Sequence, residues 1–167
     1  MPLIEDLLSL YSVERQVRSL RSRVDSAETY VRMQQREMET LQGRRDELET
    51  RKRQRQAHTH NLETEVAGID ERIEKLREEL NAASTSRQYN AELSEVNNLK
   101  DKRRELEEQM LVEMDAVETT ESDITTIDEQ IAERSTVLES ANIELTTRKD
   151  EIADTLATLE GERAAKA

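Results

Sequence analysis

The stretch that decides the fold is residues 62–99, LETEVAGIDERIEKLREELNAASTSRQYNAELSEVNNL, in which one apolar repeat ends and another begins. On its N-terminal side Leu62, Val66, Ile69, Ile73, Leu76, Leu80 and Ala83 alternate steps of four and three. On its C-terminal side Val96, Leu99, Arg103 and Leu106 resume that alternation two residues out of step. Steps of three and four place side chains on one face of a helix. Two such faces separated by a lost phase predict two helices folded back on each other.

The repeat extends far in both directions. Backwards it passes through Thr59, Arg55, Lys52, Leu48, Arg45, Leu41, Met38, Gln34, Val31, Ala27, Val24, Leu20, Val17, Val13 and Leu10. Forwards it runs through Met110, Glu113, Val117, Thr120, Ile124, Ile127, Ile131, Arg134, Leu138, Ala141, Leu145, Arg148, Ile152, Thr155 and Leu159. The expected fold class is therefore all-α, a long antiparallel two-helix coiled-coil hairpin forming one domain. Its parts are a helix over 3–83, a tip at 84–86, a helix over 87–160 and a frayed tail at 161–167. At ~1.5 Å per residue each arm reaches roughly 110–120 Å. Ser84, Thr85 and Ser86 have the chemistry of a tip, because hydroxyl oxygens cap the free N–H groups of a following helix.

Folding about Ser86 pairs residues whose numbers add to about 172, setting Leu48 against Ile124, Leu62 against Met110 and Leu20 against Ile152. Charge supports this register. Residues 51–60, RKRQRQAHTH, hold four basic residues and no acid, whereas the facing 112–121, VEMDAVETTE, holds four acids and no base. Opposite charge steers arms together and selects register. Among single pairs, Arg51 with Asp123 and Asp70 with Lys100 look attractive, and Glu49 with Glu121 looks repulsive. A continuous helix in a parallel dimer would instead stack Arg45, Lys52 and Arg55 on their own copies, which is costly.

Composition agrees with a seam rather than a deep core. Of the 167 residues, 34% are hydrophobic and 2% aromatic, with no Phe, Trp or Cys. Charged residues make up 38%, yet sustained periodicity argues against disorder. Pro2 suits a first helical turn, and only Gly43, Gly68 and Gly161 weaken propagation. No run has the ~20 apolar residues of a membrane span. The net charge of −13 disfavours nucleic acid and anionic membranes as partners.

Catalytic chemistry is not expected. His58 and His60, the only histidines, point about 200° apart on a helix and cannot grip one metal. A two-helix seam offers no deep pocket to desolvate a carboxylate pair, and there is no phosphate loop or nucleophile elbow. No catalytic, cofactor-binding or metal residue is assigned. Protein partners are expected instead, on a monomeric hairpin or weak homodimer. The candidate contacts are Tyr89 and Leu93 near the tip and the basic run Arg51, Lys52, Arg53 and Arg55. That run has no interleaved aromatic to stack bases. Arg45, Lys52, Arg55, Thr59, Glu113 and Thr120 form a polar stretch of the seam. It controls register, or serves as a hinge or partner-docking zone where apolar burial is thin. Tyr89 either caps the last layer or contacts a partner.

The tip stretch Ser84-Thr85-Ser86-Arg87-Gln88-Tyr89-Asn90-Ala91-Glu92-Leu93 is followed by Glu95-Val96, Leu99-Lys100, Glu105-Leu106-Glu107 and Met110-Leu111. Together with the opening Leu7-Leu8-Ser9-Leu10-Tyr11, it resembles a bacterial family of coiled-coil proteins that end in a C4-type zinc ribbon. The resemblance spans essentially the whole chain, and the tip is its most specific part. It implies a cytoplasmic, rod-like scaffold or chaperone-like adaptor, linked in some members to flagellar or type III secretion systems and to sigma-54. The ribbon's cysteines are absent, so no cofactor is assigned to this chain. Zinc is expected only where a C-terminal ribbon follows Ala167. The alternative reading is a nucleic-acid-associated regulator whose ribbon is missing here.

Overall fold

In the computed structural model, which describes residues 2–166 and the side chains of residues 4–165, two helices account for nearly the whole chain. Helix α1 spans Pro2–Ala82 and α2 spans Ser86–Lys166, packed against each other as an antiparallel hairpin. Their residues favour this state: Ala, Leu, Glu, Gln, Arg and Lys lose little side-chain freedom in a helix. The threonines are accommodated by bonding inward, as when Thr50 Oγ1 donates to Asp46 O and Thr125 Oγ1 to Glu121 O.

The turn occupies residues 83–85, one position earlier than the sequence suggests, and Ser86 already belongs to α2. Its cap explains the shift. The Gln88 N–H donates to Thr85 Oγ1 at 3.2 Å and the Tyr89 N–H to Thr85 O at 3.0 Å, making Thr85 the residue before the first helical turn. Gln88 stands three residues on, where a capping box has Glu or Gln, but its side chain donates to Glu92 Oε1 at 3.1 Å. At the other end α2 runs on through residues 161–166 of the expected tail, whose last residue, Ala167, lies outside the described residues. Ala164 and Ala165 favour helix, Gly161 costs only about 1 kcal/mol, and ion pairs of Glu160 with Arg21 and Arg163 with Glu14 anchor these turns.

The chain divides into two compact units. One contains residues 44–127 and the turn; the other contains residues 1–43 and 128–167.

In the 44–127 unit the core is a cluster of Leu62, Ile69, Ile73, Leu76, Val96 and Leu106, with Val66, Leu80, Leu99 and Met110 packed on it. Leu76 is the best buried, at 1% exposure. Salt bridges flank the cluster: Arg72 to Glu95 at 3.0 Å and Arg103 to Asp70 at 2.9 Å. Asp70 therefore takes Arg103 as its partner, where Lys100 was expected. The feared clash of Glu49 with Glu121 is also relieved. Lys52 Nζ lies 3.9 Å from Glu49 and 3.5 Å from Glu121, bridging both.

In the other unit Val13, Val17, Val31, Met38 and Ala141 are buried along the seam, and Gln34 is buried among them. Ion pairs join Lys149 to Glu28 at 2.6 Å, Arg163 to Glu14 at 2.7 Å and Arg134 to Glu37 at 3.1 Å. Three positions of the expected seam are exposed: Arg134, Arg148 and Thr155. Arg148 pairs with Glu144 on its own helix, and the Arg134 guanidinium reaches across to Gln34 and Glu37. At Thr155 the neighbouring Leu156 takes the inward place, since a 3.6-residue helix drifts against a seven-residue repeat.

Candidate functional site

The polar stretch of the 44–127 unit lies in the seam, where its spacing places it. Arg45, Lys52, Arg55, Thr59 and Glu113 are half-buried and Thr120 is buried. Arg55 Nη1 donates to Glu113 Oε2 at 2.9 Å across the two helices. The two threonines do not bond across. Thr59 Oγ1 donates to Arg55 O at 3.0 Å and Thr120 Oγ1 to Ala116 O at 2.7 Å, each within its own helix. Among the described residues, Arg55–Glu113 and Lys52–Glu121 are ion pairs that cross between the helices in this stretch.

Those pairs divide the basic run. Lys52 is paired with Glu121 and Arg55 with Glu113, while Arg51 and Arg53 are exposed. At the turn end, Tyr89 is 46% exposed and Leu93 38%, while Val96 beneath them is buried in the core cluster. His58 and His60 are exposed, and His60 Nδ1 lies 3.5 Å from Glu63. Among the described residues no three His, Cys, Asp or Glu side chains are grouped to hold a metal. No helix is long and apolar enough to cross a membrane among the described residues.

Three features escaped the sequence reading. Gln34 forms a second polar layer, accepting a hydrogen bond from Arg134 Nη1 at 3.2 Å in the other unit. On α1, Ile4, Leu7, Leu8 and Tyr11 form an outward apolar stripe, 56–68% exposed. On α2, Leu111, Val112 and Met114 are 66%, 67% and 53% exposed, around the inward Glu113. The signal was present: these apolar residues fall between frame positions, where a reading of in-phase residues passes over them.

Electrostatics adds local detail. The hydrogen bond and charge of Lys149, with Arg32 nearby, hold the Glu28 carboxyl below its ordinary range despite opposing desolvation. Asp70, through hydrogen bond and charge, and Glu107 hold the Arg103 guanidinium protonated more firmly than usual. The hollows beside the seam are grooves between the helices. One, of about 650 Å³, adjoins Leu111 and Met114; another, of about 940 Å³, adjoins Met33 and Arg134. No family model matches this chain, and no curated protein or solved structure is similar to it.

Proposed function

We propose that this protein is a non-enzymatic, cytoplasmic adaptor that binds partner proteins through the outer faces and turn of its helical hairpin. The observation that carries the reading is the set of large apolar side chains placed outward. Two helices that needed only each other would keep such residues in the seam. Ile4, Leu7, Leu8 and Tyr11 on α1, and Leu111, Val112 and Met114 on α2, instead face solvent. Grouped exposed apolar residues mark contact surfaces, whereas scattered ones do not. The resemblance of the turn to the zinc-ribbon coiled-coil family points the same way. The membership, and the link to secretion or sigma-54 systems, are part of this proposal.

Site-specific photo-crosslinking in the native cell tests it. A crosslinker at Tyr11, Tyr89 or Leu111 yields protein adducts of discrete mass, and one at the charged outer positions Arg23 or Glu78 does not. Adducts spread evenly over all positions, or formed mainly with nucleic acid, would overturn the adaptor reading.

A further inference from the structure

The groove of about 650 Å³ in the 44–127 unit combines two properties that define an occupant. The first is apolar anchorage. Leu111 and Met114 are three residues apart on α2, so they stand on one side of the helix and line the groove together, with half-buried Val117 deeper. Met is an adaptable contact residue, suited to surfaces that accept apolar side chains of varied shape. The second is charge. Glu63 from α1 and Asp115, Glu118 and Glu121 from α2 line the groove, while no lysine or arginine does. Glu121 is engaged by Lys52 and Glu63 lies beside His60, but Asp115 and Glu118 form no ion pair among the described residues.

We infer that this groove binds a basic amphipathic helix of a partner protein. Its apolar stripe would rest on Leu111 and Met114, and its lysines or arginines would meet Asp115 and Glu118. The groove's α2 wall, residues 111–121, rises ~15 Å, which accommodates about three turns of such a helix. The assignment rests on the adaptor reading and sharpens it to one surface and one partner chemistry. An acidic helix or an anionic lipid surface would meet only like charge here.

The test uses the full chain and two fluorescent model helices of about fourteen residues, one of leucine and lysine, the other of leucine and glutamate. Anisotropy titrations should show the lysine helix binding at least ~10-fold more tightly than the glutamate helix. L111N/M114N should weaken it by ~10-fold or more, and D115N/E118Q should weaken it while flattening its salt dependence. All four side chains are exposed, so circular dichroism should show unchanged helicity. L7N/L8N, at the α1 stripe of the other unit, should bind as the unchanged protein does. Equal binding of both helices, or unchanged affinity in L111N/M114N, overturns the groove assignment. Loss of binding in L7N/L8N alone overturns it too, but leaves the adaptor reading standing on the other stripe. Sedimentation showing Leu111 and Met114 covered by a second copy of the chain overturns the choice of occupant. If neither helix binds, the groove fails, and the crosslinking pattern judges the adaptor reading separately.

Discussion

Replacing the Arg55–Glu113 layer by leucine should stabilise the 44–127 unit. In the structure the Arg55 side chain is 37% exposed and that of Glu113 22%, so a residue there is roughly two-thirds to four-fifths buried. Full burial of a leucine contributes about 1.5–3 kcal/mol, so each substitution should gain about 1–2 kcal/mol. The ion pair lost is worth at most about 1 kcal/mol at this exposure, because solvent screens it. R55L/E113L should thus be more stable by about 1–3 kcal/mol, in line with buried ion pairs that tolerate apolar replacement. Glu113→Leu alone gains one leucine but leaves the guanidinium unpaired, and should fall within about 1 kcal/mol of the unchanged protein. Hydrogen exchange over residues 45–60 is the suitable assay, since it reads local opening and does not require the whole chain to unfold in one step. In the unchanged protein these amides should exchange faster than those over 62–76, beside the apolar cluster. In R55L/E113L they should slow by ~5-fold or more. A double variant that exchanges faster, or residues 45–60 already as protected as 62–76, would refute the thin-seam argument.

Four further outcomes follow from the same structure. Leu76→Ala, at the best-buried position of the core cluster, should cost about 2–4 kcal/mol in urea unfolding. Gly43→Ala should raise stability by up to ~1 kcal/mol, because the added methyl group meets no neighbouring atom and glycine is the poorer helix former. Thr85→Ala should cost about 1 kcal/mol and increase exchange of the Gln88 amide, which loses its side-chain acceptor. For Glu28, a carboxyl NMR titration should give a midpoint below 4.5 that returns toward it in Lys149→Ala. Because the folded value is depressed, the stabilisation is fully present above 4.5 and disappears as pH falls through the folded midpoint.

The hairpin was legible because periodicity constrains a helix far more than residue identity does. Every α1 position in the repeat from Leu10 to Leu80 is buried or half-buried, including Arg45, Lys52 and Arg55, whose charge alone would suggest solvent. What escaped the reading depends on reach. Arg148 holds an in-phase position, but its side chain is long enough to reach Glu144 on its own helix, while Arg134, also in phase, reaches buried Gln34 and Glu37 across the helices. Lys52 likewise settles the apparent repulsion of Glu49 and Glu121 by lying within reach of both, which a table of facing positions cannot show. Of the candidate contacts, Tyr89 and Leu93 are exposed, and Lys52 and Arg55 are ion-paired with Glu121 and Glu113.

Beside two polar layers of the seam large apolar residues are exposed, as Leu7, Leu8 and Tyr11 also are near buried Val13 and Val17. In the 44–127 unit the ion-paired layer containing Glu113 is surrounded on α2 by exposed Leu111, Val112 and Met114. In the other unit, buried Gln34 has exposed Tyr30 and Met33 as neighbours on α1. By contrast, within the apolar cluster bounded by Leu62 and Leu80 on α1 and by Val96 and Leu106 on α2, no large apolar side chain is exposed. Scarcity of apolar residues cannot explain the polar layers, since Met114 is adjacent to Glu113 in the chain. Exchanging those two residues would put a methionine in the seam and a carboxylate in water, improving the hairpin by the same reasoning that favours leucine there. A helix under selection for pairing alone would have that order. The order present gives up seam stability and leaves apolar surface in water, and local inconsistencies of this kind mark functional positions. Under the proposed adaptor role, the apolar surface beside Glu113 and Gln34 is the surface offered to a partner.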